Sequence, residues 1–215
     1  MTPEELARQT MPALNADALQ RVRGALGAAL AEPPRRWRRD AAILAAGLAG
    51  FTVLLASALG LAGNWAVNVG PARFLDVGVL LAAIGLGGWA AIAPPTRMRS
   101  AMALGSAALA MVAIVAMRGP GLSSPLPPWV CTVSHLGVDL APLAVVLWRM
   151  RVAAPSMGRA LAGGLAAGVP GAALGELACG QGALHVALFH LPAWLLVVAL
   201  SWAVSRRLRP TSFAP

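Results

Sequence analysis

Six long apolar stretches fill the chain between Ala41 and Ser205, and nearly every arginine lies outside them. The first, Ala41 to about Leu61, is an uncharged run of about 21 residues, close to the ~20 a helix needs to cross a bilayer. Spans two to six follow at about Leu75–Ala93, Ala101–Met117, Val130–Trp148, Ala160–Leu177 and Leu184–Ser205. Between them lie Pro94-Pro95, a Gly/Ser/Pro-rich loop from Arg118 to Pro128, and other turn-forming segments that cannot continue a helix. The pattern predicts an all-α, polytopic helical bundle with three parts: residues 1–40, a six-span domain over 41–205, and a tail over 206–215.

The arginines orient the bundle. They follow spans two, four and six and precede span one, which places them on one face; only Arg73 and Arg118 fall on the other. By the positive-inside rule both termini are expected in the cytoplasm, as in a multi-pass protein of a bacterial inner membrane. The net charge of +9 comes from 17 basic residues, all arginine. Because they cluster beside apolar spans, anionic lipid headgroups rather than nucleic acid are the expected partner. A hydrophobic fraction of 58% with only 12% charged residues excludes an ordinary soluble domain.

The N-terminal segment is amphipathic. A helix starting near Asn15 or Asp17 carries Leu19, Val22, Leu26 and Leu30 at helical spacing, with Gln20, Arg21 and Arg23 on the other face. Pro33-Pro34 ends it. Such a stripe needs covering, either by the bilayer surface or by a groove on a soluble partner. The segment is too short to build a core of its own.

The polar chemistry gathers opposite the basic loops. Cys131, His135 and Asp139 recur every four residues and line one face of span four. Glu176 and Cys179 end span five, and His185 and His190 open span six. Ionisable groups inside a membrane face the bundle interior or water, so all of these can share one outward-facing pocket. Asp139 is expected to make a structural hydrogen bond or an ion pair with His135, and Asp76 to be interfacial. The two cysteines can form a disulfide or, with His and acidic neighbours, hold a thiophilic metal. There is no Cys-x-x-Cys, no His-Glu-x-x-His and no phosphate loop. Catalysis and a bound cofactor are therefore not expected. Glycines 164, 168, 171 and 175 in span five, with Pro170 among them, predict a tightly packed central helix.

A short N-terminal segment, six spans, one cysteine before span four and a second before a His-containing sixth span together resemble the NrsF (DUF1109) family of membrane anti-sigma factors. The final block, Cys179-Gly-Gln-Gly-Ala-Leu-His185-Val-Ala-Leu-Phe-His190, is similar to that family's Cys…His…aromatic-His ending. The resemblance implies that residues 1–40 hold an extracytoplasmic-function sigma factor, with Leu19, Val22, Arg23, Leu26 and Leu30 as contacts. It also implies that Cys131 and Cys179 sense stress from the periplasmic side. The layout is shared by light-responsive membrane anti-sigma factors of myxobacteria. A different class, a small transporter or metal-handling channel using His135, Asp139 and Glu176, is the alternative expectation.

Overall fold

The computed structural model describes residue 17 and residues 19–21, 23–24, 37–124, 126–151 and 156–208. The chain divides into two compact units, Met1–Arg36 and Trp37–Pro215. In the first, the described residues are helical and exposed, Leu19 and Arg23 among them. Val22, Leu26 and Leu30, the remaining expected partner contacts, lie outside the described residues, as do 209–215 of the tail.

Among its described residues the second unit holds six helices long and apolar enough to cross a membrane: α1 (Trp37–Leu61), α2 (Pro71–Ile92), α3 (Arg97–Ala116), α4 (Trp129–Met150), α5 (Met157–Ala178) and α6 (Ala183–Ser205). The described residues contain no strand. Several helices begin before their apolar runs. α1 starts at Trp37 rather than Ala41, and α2 at Pro71 rather than Leu75. A span's apolar core marks the hydrocarbon it crosses, whereas its helix continues for another turn among polar and capping residues. Pro71 suits the first turn of α2, where an N–H would have no helical partner. Thr96 and Ser156 cap α3 and α5 by accepting hydrogen bonds from the backbone N–H of Arg99 and Arg159.

α5 is the axis of the bundle and touches all five other helices. Buried positions make up 89% of its membrane-length window, against 17% for α1, so small residues are what let its neighbours close in. A Cβ on Gly164 would stand 2.7 Å from Val198 Cα, which measures how near the α6 backbone comes. Ser201 on α6 donates to the carbonyl of Ala160, 2.8 Å away. Trp194 is fully buried, and its indole N–H donates to Leu165 O at 2.9 Å, the partner a mid-span tryptophan requires. Around this axis Leu44, Leu80, Ile84, Ile114 and Val146 form one continuous core. Large apolar side chains such as Leu54, Leu109, Val112, Leu140 and Leu195 are left exposed on the outer helix faces. That inside-out distribution suits lipid contact.

Contacts define two ends. At one end Arg99 lies over the rings of Trp37 and Trp89, and the Arg159 side chain donates to Ala91 O. At the other end the loops after α1, α3 and α5 are hydrogen-bonded to one another: Asn68 donates its side-chain amide to Gly180 O, and the Leu122 N–H donates to the same oxygen.

Candidate functional site

The site grows out of the α5–α6 loop, whose carbonyls are held by arginines from two other parts of the chain. Cys179 O accepts from Arg73 on α2 at 2.7 Å and from Arg118, just beyond α3, at 2.6 Å. Gln181 O accepts from Arg118 Nε at 2.8 Å, and Glu176 O from Arg73 at 3.0 Å. Arg118 completes its fork with an ion pair to the Glu176 carboxylate, N···O 2.5 Å. Both arginines are buried. An arginine can do this because its planar guanidinium offers five donors in fixed directions. These are the two arginines that break the one-sided charge pattern of the sequence. Their task is to clamp the loop that carries Cys179.

Cys131 comes from the first turn of α4 and stands across from that loop. His185 and His190 come from α6, five residues apart, a spacing that an ideal α-helix would splay by about 140°. The structure solves this with a π turn over Val186–His190, in which the Leu191 N–H bonds to Val186 O. The wider turn brings both imidazoles to the same side, and Pro192, which lacks an N–H, follows immediately. Thr132 on α4 supports the turn by donating to Phe189 O at 2.9 Å. Replacing Thr132 by valine is expected to lower stability by about 1 kcal/mol, read from unfolding in mixed micelles, because one partly buried hydrogen bond disappears.

The result is a cage. Donor atoms of Cys131, Cys179, His185 and His190 all lie within 4.8 Å of one another. Both thiols are free, Cys179 buried and Cys131 half-buried. The Nε2 atoms of His185 and His190 are buried without a hydrogen-bond partner among the described residues. Close approach requires glycine here: a Cβ on Gly175 would collide with the His190 imidazole. Beside the cage a cavity of about 360 Å³ is bounded by both cysteines, His135, His190 and apolar residues including Leu126 and Val130.

The other polar residues expected in one pocket separate into distinct tasks. His135 and Asp139 are buried one turn further in, with His135 Nε2 3.0 Å from Asp139 Oδ2 and 3.2 Å from Gly168 O. Asp139 Oδ1 accepts from the backbone N–H of Gly171 at 2.7 Å. The pair thus bridges the break that the turn at Gly168 and Pro170 puts into α5. The His135 and His190 rings lie 6.0 Å apart, so this bridge abuts the cage. Glu176 does not join the cage and is taken by Arg118. Asp76, expected to be interfacial, is fully buried within the bundle, and neither of its carboxylate oxygens has a hydrogen-bond partner among the described residues. Packing of α2 beneath the loops places it there, in the same neighbourhood as the two arginines.

Fold and site together define a six-span helical membrane protein with most of its arginines at one end and a thiol–imidazole cage, clamped by two others, at the other. Over its full length the chain is similar to the carotenogenesis protein CarR of Myxococcus xanthus. The two are 39% identical over 220 residues, covering 100% of this chain and 98% of the relative. The chain belongs to the CarR family. No family profile and no solved structure matches it.

Proposed function

We propose that the protein is a membrane-bound anti-sigma factor of a carotenogenesis-type response, acting by binding rather than by turnover. The observation that carries the reading is its end-to-end similarity to a carotenogenesis protein, in a chain whose organisation resembles the NrsF family. The polarity of the bundle supports it. Arginines crowd the end where Trp37 begins α1, and the positive-inside rule assigns that end, with both termini, to the cytoplasm of a bacterial inner membrane. The segment over 1–40 then meets an extracytoplasmic-function sigma factor, while Cys131 and Cys179 face the periplasm. A stress signal at the thiol end shifts α4 against the α5–α6 hairpin and lowers affinity at the other end. Converting a partner from 99% bound to 99% free takes about 5.5 kcal/mol of differential stabilisation. Disulfide formation or metal capture supplies energy of that order.

The transporter reading draws on His135, Asp139 and Glu176, but each is engaged with a partner in the structure: Asp139 with Gly171 N–H, His135 with Gly168 O, and Glu176 with Arg118. Co-expression with candidate extracytoplasmic-function sigma factors tests the anti-sigma reading. The full-length protein should carry its sigma factor into the membrane fraction, and a variant lacking residues 1–36 should leave it soluble. A sigma factor that stays soluble with both would end the proposal, and so would selective flux through liposomes that Asp139→Asn abolishes.

A further inference from the structure

The geometry points to Cys131, Cys179, His185 and His190 as the four ligands of a single thiophilic, closed-shell metal ion, of the Zn(II) or Cu(I) class. Two thiolates and two imidazoles are the donor set that selects such ions, and tetrahedral S₂N₂ geometry is the one they prefer. Bond lengths of about 2.3 Å to sulfur and 2.0–2.1 Å to nitrogen give a tetrahedron with edges of about 3.3–3.8 Å. Since all donor atoms lie within 4.8 Å of one another, no pair has to close by more than about 1.5 Å around an ion.

Three further observations favour a ligand here over a merely packed cluster. Burying an imidazole nitrogen without a partner is costly, yet His185 and His190, side chains that form the cage, each bury an Nε2 that has no partner among the described residues. A π turn is a departure from the α-helix concentrated at functional sites, and here it aligns two imidazoles whose spacing the α-helix would separate. The backbone that positions Cys179 is fixed by Arg73 and Arg118, so this donor is held in place before any ion arrives.

Charge and access agree. Two thiolates neutralise a divalent ion, and with a monovalent ion the one remaining negative charge lies beside the arginines that bind Cys179 O. Binding releases the thiol protons to solvent, and no redox change is required. The cavity beside Cys131 provides the entrance. An ion held this way links the start of α4 to the α5–α6 hairpin, which is the movement the anti-sigma reading needs. That consequence rests on the anti-sigma reading; binding of the ion does not.

The test uses the full-length protein in detergent, reduced and stripped with a chelator. Titration with Zn(II) against a chromophoric chelator should show one ion per chain. Co(II) should give tetrahedral d–d and thiolate charge-transfer bands. Cys131→Ser, at a half-buried position, and His190→Gln should each weaken binding by more than about 100-fold, beyond the 10–100-fold typical of an outer-shell change. A parallel Cu(I) titration distinguishes the two ions. Absence of a Co(II)–thiolate band, binding unchanged in both variants, or thiols that react equally fast with and without saturating metal would overturn the site. None of these readouts involves a sigma factor, so failure here and failure of the anti-sigma reading are separable.

Discussion

Arg118→Ala is expected to lower the unfolding free energy by about 3–5 kcal/mol, the cost of leaving one member of a buried ion pair alone. The loss arises in two parts. Glu176 would remain buried at 2% exposure without its ion-pair partner, Arg73 being the one cation left close by among the described residues, and the carbonyls of Cys179 and Gln181 would lose donors that the loop cannot replace internally. Arg118→Met combined with Glu176→Leu separates them. Removing both charges relieves the first part, because a buried pair exchanged for apolar residues is often close to neutral. The second part persists, since Arg73 still reaches Cys179 O but nothing replaces the bond to Gln181 O. The double variant should therefore recover more than half of the single variant's deficit in tryptophan-monitored unfolding in mixed micelles. Lysine at 118 should rescue poorly, because a single ammonium cannot span a carboxylate and two carbonyls at fixed angles. A deficit below about 1 kcal/mol in Arg118→Ala would place the pair among solvent-screened contacts and remove the clamp from this description.

The apolar runs made the six spans legible because every backbone polar group in hydrocarbon must be bonded within its own helix. The count of the spans and the length of their apolar cores follow from that constraint. Span five was legible as the axis for a related reason: in lipid only small side chains let backbones meet, and Gly164, Gly168, Gly171 and Gly175 lie on one stripe. Helix starts were less legible, since Arg38, Arg39 and Asp40 are polar yet helical, and hydropathy reports the membrane rather than the backbone. The cage was half legible. Cys131, Cys179, His185 and His190 could all be placed at one end from topology, but the two histidines are aligned by a π turn that no periodicity announces. Arg118 and Arg73 were visible as exceptions to the charge asymmetry. What they bind was not, because their acceptors are backbone carbonyls, and every residue has one.

Asp139→Ala is expected to cost about 3 kcal/mol, for a reason that lies in α5 rather than α4. Pro170 offers no N–H and the chain turns at Gly168, so the second half of α5 begins like a new helix inside the bundle, with backbone donors lacking intrahelical partners. Asp139 Oδ1 satisfies one of them, Gly171 N–H, and places a carboxylate where the helix dipole is positive. His135 treats the other side of the break by donating from Nε2 to Gly168 O. Alanine at 139 strands a buried donor and removes the neighbour 3.0 Å from His135, and the combination puts the cost at the upper end of the ~1–3 kcal/mol of one lost partner. Asparagine keeps an acceptor at the Oδ1 position, so Asp139→Asn should cost only about 1 kcal/mol. Gly171→Ala should reproduce a loss of about 1–3 kcal/mol from the opposite direction, because its Cβ would meet the His135 ring and stand 2.8 Å from Asp139 Oδ2. Equal losses in the alanine and asparagine variants would mean that charge beside His135, not support of the broken helix, is what the carboxylate supplies. Because His135 stands between this bridge and His190, a loosened bridge should also broaden the metal-bound Co(II) spectrum while leaving one ion per chain. In that way the break in α5 sets how firmly the cage is held.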